Sequence, residues 1–378
     1  MTAVFRVGHA SSRHWQEAAR ACVDQLRPLP AGANLGFVYF SDHFTAHAVA
    51  LLDALKAQTG IRSWVGSVGV GVIATATEYF DEPALAVLAG SFPEEAFKVF
   101  SGRSRPPKSG ERTPMGALAS HFGVVHGDPS TDDIPELIED MSRKVASGFL
   151  VGGLSSSRTQ TVQVANEVLQ GGLSGVVFSS DVRVATRLTQ GCAPLRRSEP
   201  DRAPLHHRVT ECERNIIVAL DGRPALDVFK EDIGEILARD LNRAAHLIMA
   251  GLPVPGSDTG DYLVRNIVGI DARNKLLAIG APVEDGMAVM FCRRGGDAAR
   301  SDLQRMLKSI SSELKEPPRA GLYYSCLGRG VHMFGEKSAE MRMIRDELGE
   351  FPMVGFFANG EISHDRLYGY TGVLTLFV

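Results

Sequence analysis

The sequence predicts an α/β (α+β) fold: two mixed-sheet domains built from repeated strand–helix–strand–strand units, layered with helices outside sheets that face each other. Three observations predict it. Continuous apolar runs such as LGFVYFS end in small polar residues and read as strands buried on both faces. Between them the apolar spacing turns helical, as over Trp15–Leu26, where Ala18, Ala19, Cys22, Val23 and Leu26 share a face. The ending also repeats the beginning. GLYYSC, helix, MVGFFANGEIS, strand follows the order of GFVYFS, helix, WVGSVGVGVIA, strand.

The elements follow in order. The first helix is capped by Ser11 or Ser12 and ended by Pro28 and Pro30. The strand Leu35–Ser41 follows, then a helix from Thr45 to Gln58 that Gly60 stops. Trp64–Ala74 reads as one strand broken or bulged by its glycines, and Pro83–Phe92 as another. The polar segment 101–114 is a loop, and limited proteolysis is expected to cut there and in 196–208. A second unit runs from the strand MGALASHFGVVHGD through a helix at 134–145 to FLVGGLSSS, GGLSGVVFSS and VRVATRLTQG. After the connector 196–208, IIVALDGRPALDVF gives a strand, a turn at Asp221-Gly222 and a helix from Pro224. Strands YLVRNIVGID, KLLAIG and MAVMFCRR precede a helix over 301–314, and a helix over 338–348 joins the last two motifs. The domain boundary is expected near residue 200, giving domains 1–200 and 201–378.

Both outer copies place Val-Gly after the helix and a second glycine five positions later: Gly66 and Gly71, Gly355 and Gly360. Val151-Gly152 marks a looser third copy. The strand ends of these copies are expected to converge on a shared cleft.

Composition bounds the function. With 44% apolar residues, 22% charged and a net charge of −4, the chain lacks the basic surplus of a dedicated nucleic-acid binder. Five cysteines without a CxxC pair fit neither a disulfide scaffold nor a local zinc site. The amino terminus, with Arg6, His9, Arg13 and His14, does not read as a signal peptide, and no apolar run is long enough for a bilayer. The expectation is a cytoplasmic protein with no membrane or nucleic-acid partner, no cofactor and no metal.

Ser325, Cys326, Gly328, Arg329 and Gly330 form the first candidate cluster. A strand ending in small residues, then glycines flanking an arginine, offers backbone N–H groups and a guanidinium to a carboxylate or phosphate. The competing reading is a plain turn with Arg329 on the surface. Asn359, Gly360, Glu361 and His364 form the second. A carboxylate beside the arginine would take an ammonium group, so Arg329 and Glu361 could hold an amino acid at both ends. Equally, the two could be an ion pair fastening two loops. Ser41, Asp42 and His43 end the first strand at the corresponding place. They form no hydrolase triad, and Phe44 stands where H-E-x-x-H needs glutamate before His47. Cys192 and Cys326 are thiols that need a nearby base to become nucleophiles; no catalytic residue is assigned. VGSVGVG and VGGLSSS lack dinucleotide-loop spacing. His206-His207 reads as solvent-exposed connector, and Arg103, Arg105, Lys108 and Arg112 as a solvated basic loop.

GFVYFSDHF and WVGSVGVGVI, then TQGCAPL and VTECERNIIVALDGRPAL, then GLYYSCLGRGVHMFG and PMVGFFANGEIS, together resemble the FIST family of bacterial signal-transduction and sensory proteins. The resemblance runs over nearly the whole chain. It implies a FIST N-terminal and a FIST C-terminal domain in a cytoplasmic module that binds a small ligand, an amino acid or related carboxylate, and signals to a downstream protein. One departure stands out: Val72 occupies the place that Glu361 takes in the last copy. The alternative is an enzyme using Cys326 or Glu361 in the same cleft.

Overall fold

A computed structural model describes residues 4–102, 120–195, 206–254 and 261–378. They form two compact units, Met1–Thr189 with Arg300–Val378, and Gln190–Ala299. The first unit contains three copies of one pattern. The first runs β1 (Val4–Ser11), α1 (Trp15–Leu26), β2 (Leu35–Ser41), a 3-10 turn (Asp42–His47), α2 (Ala48–Thr59) and β3 (Ser63–Gly69). It ends with the hairpin β4 (Gly71–Ala74) and β5 (Thr77–Phe80), then β6 (Ala84–Ser91). The second runs β7 (Phe97–Phe100), β8 (Phe122–Gly127), α3 (Ile134–Arg143), β9 (Phe149–Leu154), the hairpin β10 (Gln163–Ala165) and β11 (Val168–Leu169), and β12 (Leu173–Phe178). The third opens with β13 (Val184–Gln190).

There the chain departs into the second unit: β14 (Cys192–Pro194), β15 (His207–Glu213), β16 (Ile216–Leu220), β17 (Arg223–Pro224), α4 (Ala225–Ala238), α5 (Leu241–Leu247), β18 (Ile248–Pro253), β19 (Tyr262–Asp271), β20 (Leu276–Ile279) and β21 (Ala288–Arg294). It returns through α6 (Gly296–Glu313) to complete the third copy: β22 (Ala320–Cys326), α7 (Val331–Phe334), α8 (Ala339–Leu348), β23 (Met353–Ala358), the hairpin β24 (Glu361–Ser363) and β25 (Arg366–Tyr368), and β26 (Thr371–Phe377).

In each copy the first two long strands are a parallel pair joined by a helix: β2 with β3, β8 with β9, β22 with β23. A third strand lies antiparallel on the other side: β6, β12 and β26. The hairpin never stays in its own sheet. That of the first copy adds to β23, that of the second to β3, and that of the third to β9. Each six-stranded sheet is thus completed by a neighbour, and the three sheets are linked in a cycle.

Alternate residues of the apolar runs serve two cores. Leu35, Phe37 and Tyr39 face inward and meet Phe122, Val124, Leu322, Tyr324 and Val354 from the other sheets. Val38 and Phe40 face outward under Ala18, Cys22, Leu51 and Leu55 of α1 and α2. The corresponding helix α3 covers Val125, Leu150 and Val177 with Ile134, Ile138 and Met141. Burial on both faces explains why these strands show no polar alternation.

The repeated Val-Gly has a single physical cause. Gly66, Gly152 and Gly355 sit opposite Val38, Val125 and Tyr323 in the three parallel pairs. A Cβ at any of them would lie 1.7–1.8 Å from the facing carbonyl oxygen. Only glycine lets the two backbones approach this closely.

The second unit is an antiparallel barrel. β21 pairs with both β15 and β18, so the path through β16, β20 and β19 closes on itself, with β14 added beside β21. Leu226 and Phe229 of α4 pack with Val209, Ile217, Leu277 and Phe291 of its strands. His207, expected to be exposed, is instead buried between two carboxylates: Nδ1 lies 2.7 Å from Asp221 Oδ2 and Nε2 2.7 Å from Asp232 Oδ2. The Asp232 hydrogen bond, supported by Asp221 and opposed by partial burial, raises its pKa above the usual value. A histidine with a raised folded-state pKa stabilises fully below its unfolded value, and the contribution is lost as pH rises through the folded value. Urea unfolding of the wild type should therefore show a histidine-dependent loss of stability above pH 6.5. His207→Gln should remove it; an unchanged pH slope in that variant would refute the assignment.

Several expected boundaries move. His14, not Ser11 or Ser12, is the N-cap of α1, and it makes no side-chain cap bond; Ser12 Oγ accepts from the His14 N–H instead. A 3-10 turn takes the first residues expected in the second helix, α6 starts five residues early, and Trp64–Ala74 splits at Val70 into strands of two different sheets. The strands β1, β5, β7, β10 and β11 had no apolar run to announce them. The proteolysis loop at 103–114, its four basic residues, and 196–205 with the expected boundary near 200 lie outside the described residues.

Candidate functional site

The three copies meet at matching positions. One residue past the close-approach pair stand Tyr39, His126 and Tyr324, all fully buried. Tyr39 Oη lies 3.1 Å from His126 Nε2 and 2.9 Å from Tyr324 Oη. Burial drives the His126 pKa down to about 3, so its ring is neutral, and burial also raises both tyrosines. This triad joins the sheets at their common core.

Two residues further, each first strand reaches its end at Ser41, Asp128 or Cys326, and the ends differ in how completely they are satisfied. At the first, the Ala84 N–H donates to Ser41 Oγ at 2.9 Å. Arg158 donates to Asp42 from its backbone N–H at 2.9 Å, from Nε at 2.8 Å and from Nη2 at 2.7 Å, while Nη1 donates to Asp81. Burial alone would raise the Asp42 carboxyl, but the bonds and charge of Arg158 outweigh it and hold the group low. His43 is exposed, with Nδ1 3.5 Å from Asp42. At the second end, Asp128 accepts from the N–H and hydroxyl of Ser130, from the Thr161 hydroxyl and from the Gly171 N–H. Both carboxylates are fully employed in tying loops together.

The third end is different. Arg329 is completely buried, not on the surface, and its partner is Glu340 of α8 rather than Glu361. Its Nε and Nη2 donate to Glu340 Oε1 at 2.8 and 2.6 Å, and its guanidinium lies 5.2 Å from the Phe334 ring centre. Tyr323 and Ser325 add hydroxyl donors to the same carboxylate. Among the described residues Arg329 Nη1 has no partner. Glu361 accepts from the Thr371 N–H at 3.1 Å and hydroxyl at 2.7 Å, both at Oε2, and the Cys326 thiol also interacts with its carboxyl; among the described residues Oε1 has no close hydrogen-bond partner. Glu78, brought by the hairpin of the first copy, accepts from the Ser338 N–H at Oε2 and also leaves Oε1 unpartnered.

Burial, the largest influence, pushes Glu361 up to about 8 against the Thr371 bonds, Arg329 and the nearby Cys326 thiol. Burial and then the charge of Glu340 push Glu78 to about 8. Burial of the sulfur, followed by Glu361, raises Cys326 to about 12, although the Gly328 and Tyr370 N–H groups point at it. At neutral pH the spare carboxyls are protonated and the thiol is intact. Cys326, Gly328 and Gly360 are partly exposed and Asn359 is exposed, whereas Ser325, Arg329, Gly330 and Glu361 are buried. Gly330 (φ 55°) and Gly360 (φ 119°) take left-handed backbone there.

The expected residues from Ser325 to Glu361 are thus gathered at one strand end, while Ser41, Asp42 and His43 belong to another with its own partners. All lie in the first compact unit. Glu340 and Glu78 escaped sequence reading. Glu340 left a trace: it stands at the head of the stripe Glu340, Ile344, Leu348 that α8 buries, where an acid is out of place. Among the described residues, no group of three or more His, Cys, Asp or Glu side chains is placed to hold a metal ion.

A cyclic set of α/β repeats, interrupted in the chain by a barrel, defines a duplicated α/β protein. The FIST N domain matches residues 34–223 and the FIST C domain residues 225–364, and the chain belongs to the FIST family. FIST domains are associated with sensing in signal transduction. Uncharacterised proteins of Mycobacterium tuberculosis, from strains CDC 1551 / Oshkosh and H37Rv, are each 32% identical over 98% of this chain and 99% of their own length. An uncharacterised protein of Mycobacterium bovis is 27% identical over 98% of both chains. No helix of the described residues is long and apolar enough to cross a membrane.

Proposed function

We propose that this chain is a cytoplasmic sensory module that binds a small ligand, an amino acid or related carboxylate, at the end of β22 and passes occupancy to a downstream protein. The observation that carries the reading is the set of three buried, unpartnered polar atoms at one strand end: Arg329 Nη1, Glu361 Oε1 and Glu78 Oε1. Buried polar groups normally have partners, and a small polar ligand would supply one to each of these three atoms. At the two matching strand ends the carboxylates of Asp42 and Asp128 are hydrogen-bonded, and only the Thr45 hydroxyl near the first is unpartnered among the described residues. Five free cysteines fit a reducing compartment. Covalent chemistry at Cys326 is the weaker reading: with its pKa pushed to about 12, the thiolate that such chemistry needs is scarce at neutral pH.

A thermal-shift screen of amino acids and related carboxylates tests it. A ligand present at a hundred times its Kd stabilises by about 2.7 kcal/mol. The shift should survive in Cys326→Ala and shrink in Glu361→Gln. A screen without any hit, or a hit indifferent to Glu361→Gln, would refute the reading.

A further inference from the structure

Charge at the third strand end is unbalanced. Three carboxyls, Glu78, Glu340 and Glu361, surround one guanidinium, and each of the four side chains is buried. Glu340 is consumed by Arg329, Tyr323 and Ser325. The other two acids share one arrangement: Oε2 is anchored by neutral donors, from Thr371 or from Ser338, and Oε1 is presented without a partner. Arg329 mirrors them, anchored through Nε and Nη2 with Nη1 free. These residues influence one another's ionisation, Arg329 acting on both Glu78 and Glu361. The free atoms therefore comprise one donor and two potential anions.

We propose that the ligand is an amino acid with a cationic side chain, its carboxylate on Arg329 Nη1, its α-ammonium on Glu361 Oε1 and its side-chain cation on Glu78 Oε1. The assignment rests on the small-ligand reading given above and adds a specificity residue, Glu78, that comes from a different copy than the rest of the site. Burial raises both acids to about 8, so a cation seated on either would displace a proton. An acidic amino acid would bring a second carboxylate to an end whose cation, Arg329, is already paired with Glu340. A neutral one would leave Glu78 unmatched, and a site built around a hydrogen-bonded group discriminates strongly against analogues that lack it.

The test is calorimetric titration of the full chain with L-lysine and L-norleucine, which differ by the terminal ammonium, and with L-glutamate. L-lysine should bind at least about tenfold more tightly than L-norleucine, a difference of about 1.4 kcal/mol, and L-glutamate should be weaker than either. In Glu78→Gln the lysine-to-norleucine ratio should fall to within about threefold of one, whereas Glu361→Gln should weaken both probes alike. Far-ultraviolet circular dichroism establishes that both isosteric variants are folded. Equal or tighter binding of L-norleucine by the wild type, or a lysine preference that survives Glu78→Gln, would overturn the inference while leaving the small-ligand reading intact. If neither these probes nor any member of the wider screen binds, both fall together.

Discussion

Glu340→Ala should destabilise the first compact unit by about 3–5 kcal/mol, the cost of stranding one member of a buried ion pair. The estimate follows from what the substitution leaves behind. Arg329 would lose the carboxylate that is hydrogen-bonded to it, keeping only acids that hold their protons at neutral pH nearby, and the buried hydroxyls of Tyr323 and Ser325 would lose their acceptor. The transition in thermal unfolding should fall by roughly 10 °C. The double variant Arg329→Met/Glu340→Leu should recover a large part of that loss, because replacing both charges by apolar groups of similar size removes the stranded partner. The same double variant should bind no ligand. Recovery of stability together with loss of binding would separate the two roles of the arginine. A Glu340→Ala protein as stable as the wild type would show that the pair is not closed to solvent.

Gly355→Ala should prevent folding of the first unit altogether. The added methyl would stand 1.7 Å from the Tyr323 carbonyl oxygen and 2.7 Å from its carbonyl carbon. Both atoms are backbone in a fully buried parallel pair, so no side chain can swing aside to make room. Effects above about 4 kcal/mol arise from such irreparable overlaps, and a domain of ordinary stability does not survive them. Gly66→Ala and Gly152→Ala should behave alike, since the same carbonyl approach recurs in their copies. Gly295→Ala is the control: nothing lies within 4 Å of its would-be Cβ, and its expression and circular dichroism should match the wild type. Folded Gly355→Ala protein would mean that the parallel pair is wider than described.

These glycines show where the sequence was legible. The Val-Gly recurrence is visible in the chain because a contact within one copy forces it, and each copy must obey the same local geometry. The buried strands were legible for a similar reason: both faces of β2 and β6 are covered, so every position is apolar or small. Pairings between copies left no such mark. Nothing in Val72 or Ile73 announces that they lie beside Phe356 and Gly355 rather than continuing β3, because an apolar strand satisfies either neighbour. β1 was missed because a polar edge strand with Arg6 and His9 spaced along it matches no buried pattern. At the site, Arg329 and Glu361 drew notice through their glycine-rich surroundings. Glu340, the true partner of Arg329, and Glu78 stand in ordinary helix and strand contexts, and their convergence is a product of the tertiary fold.

The exchange of hairpins bears on how this chain is made. On the ribosome, β4 and β5 emerge well before the strand that receives them, β23, which follows about 270 residues later in the chain. At about 5–20 residues per second, that hairpin waits on the order of 15–60 s before its partner exists. In the interval its pairing edge is open to any other strand, including the same segment on a neighbouring nascent chain. Synthesis of this protein is thus a race between completion and mispairing, and a slowed ribosome or a premature stop releases chains with an unfilled sheet. Chaperones that shield nascent β-edges are the factors whose depletion should most reduce its yield.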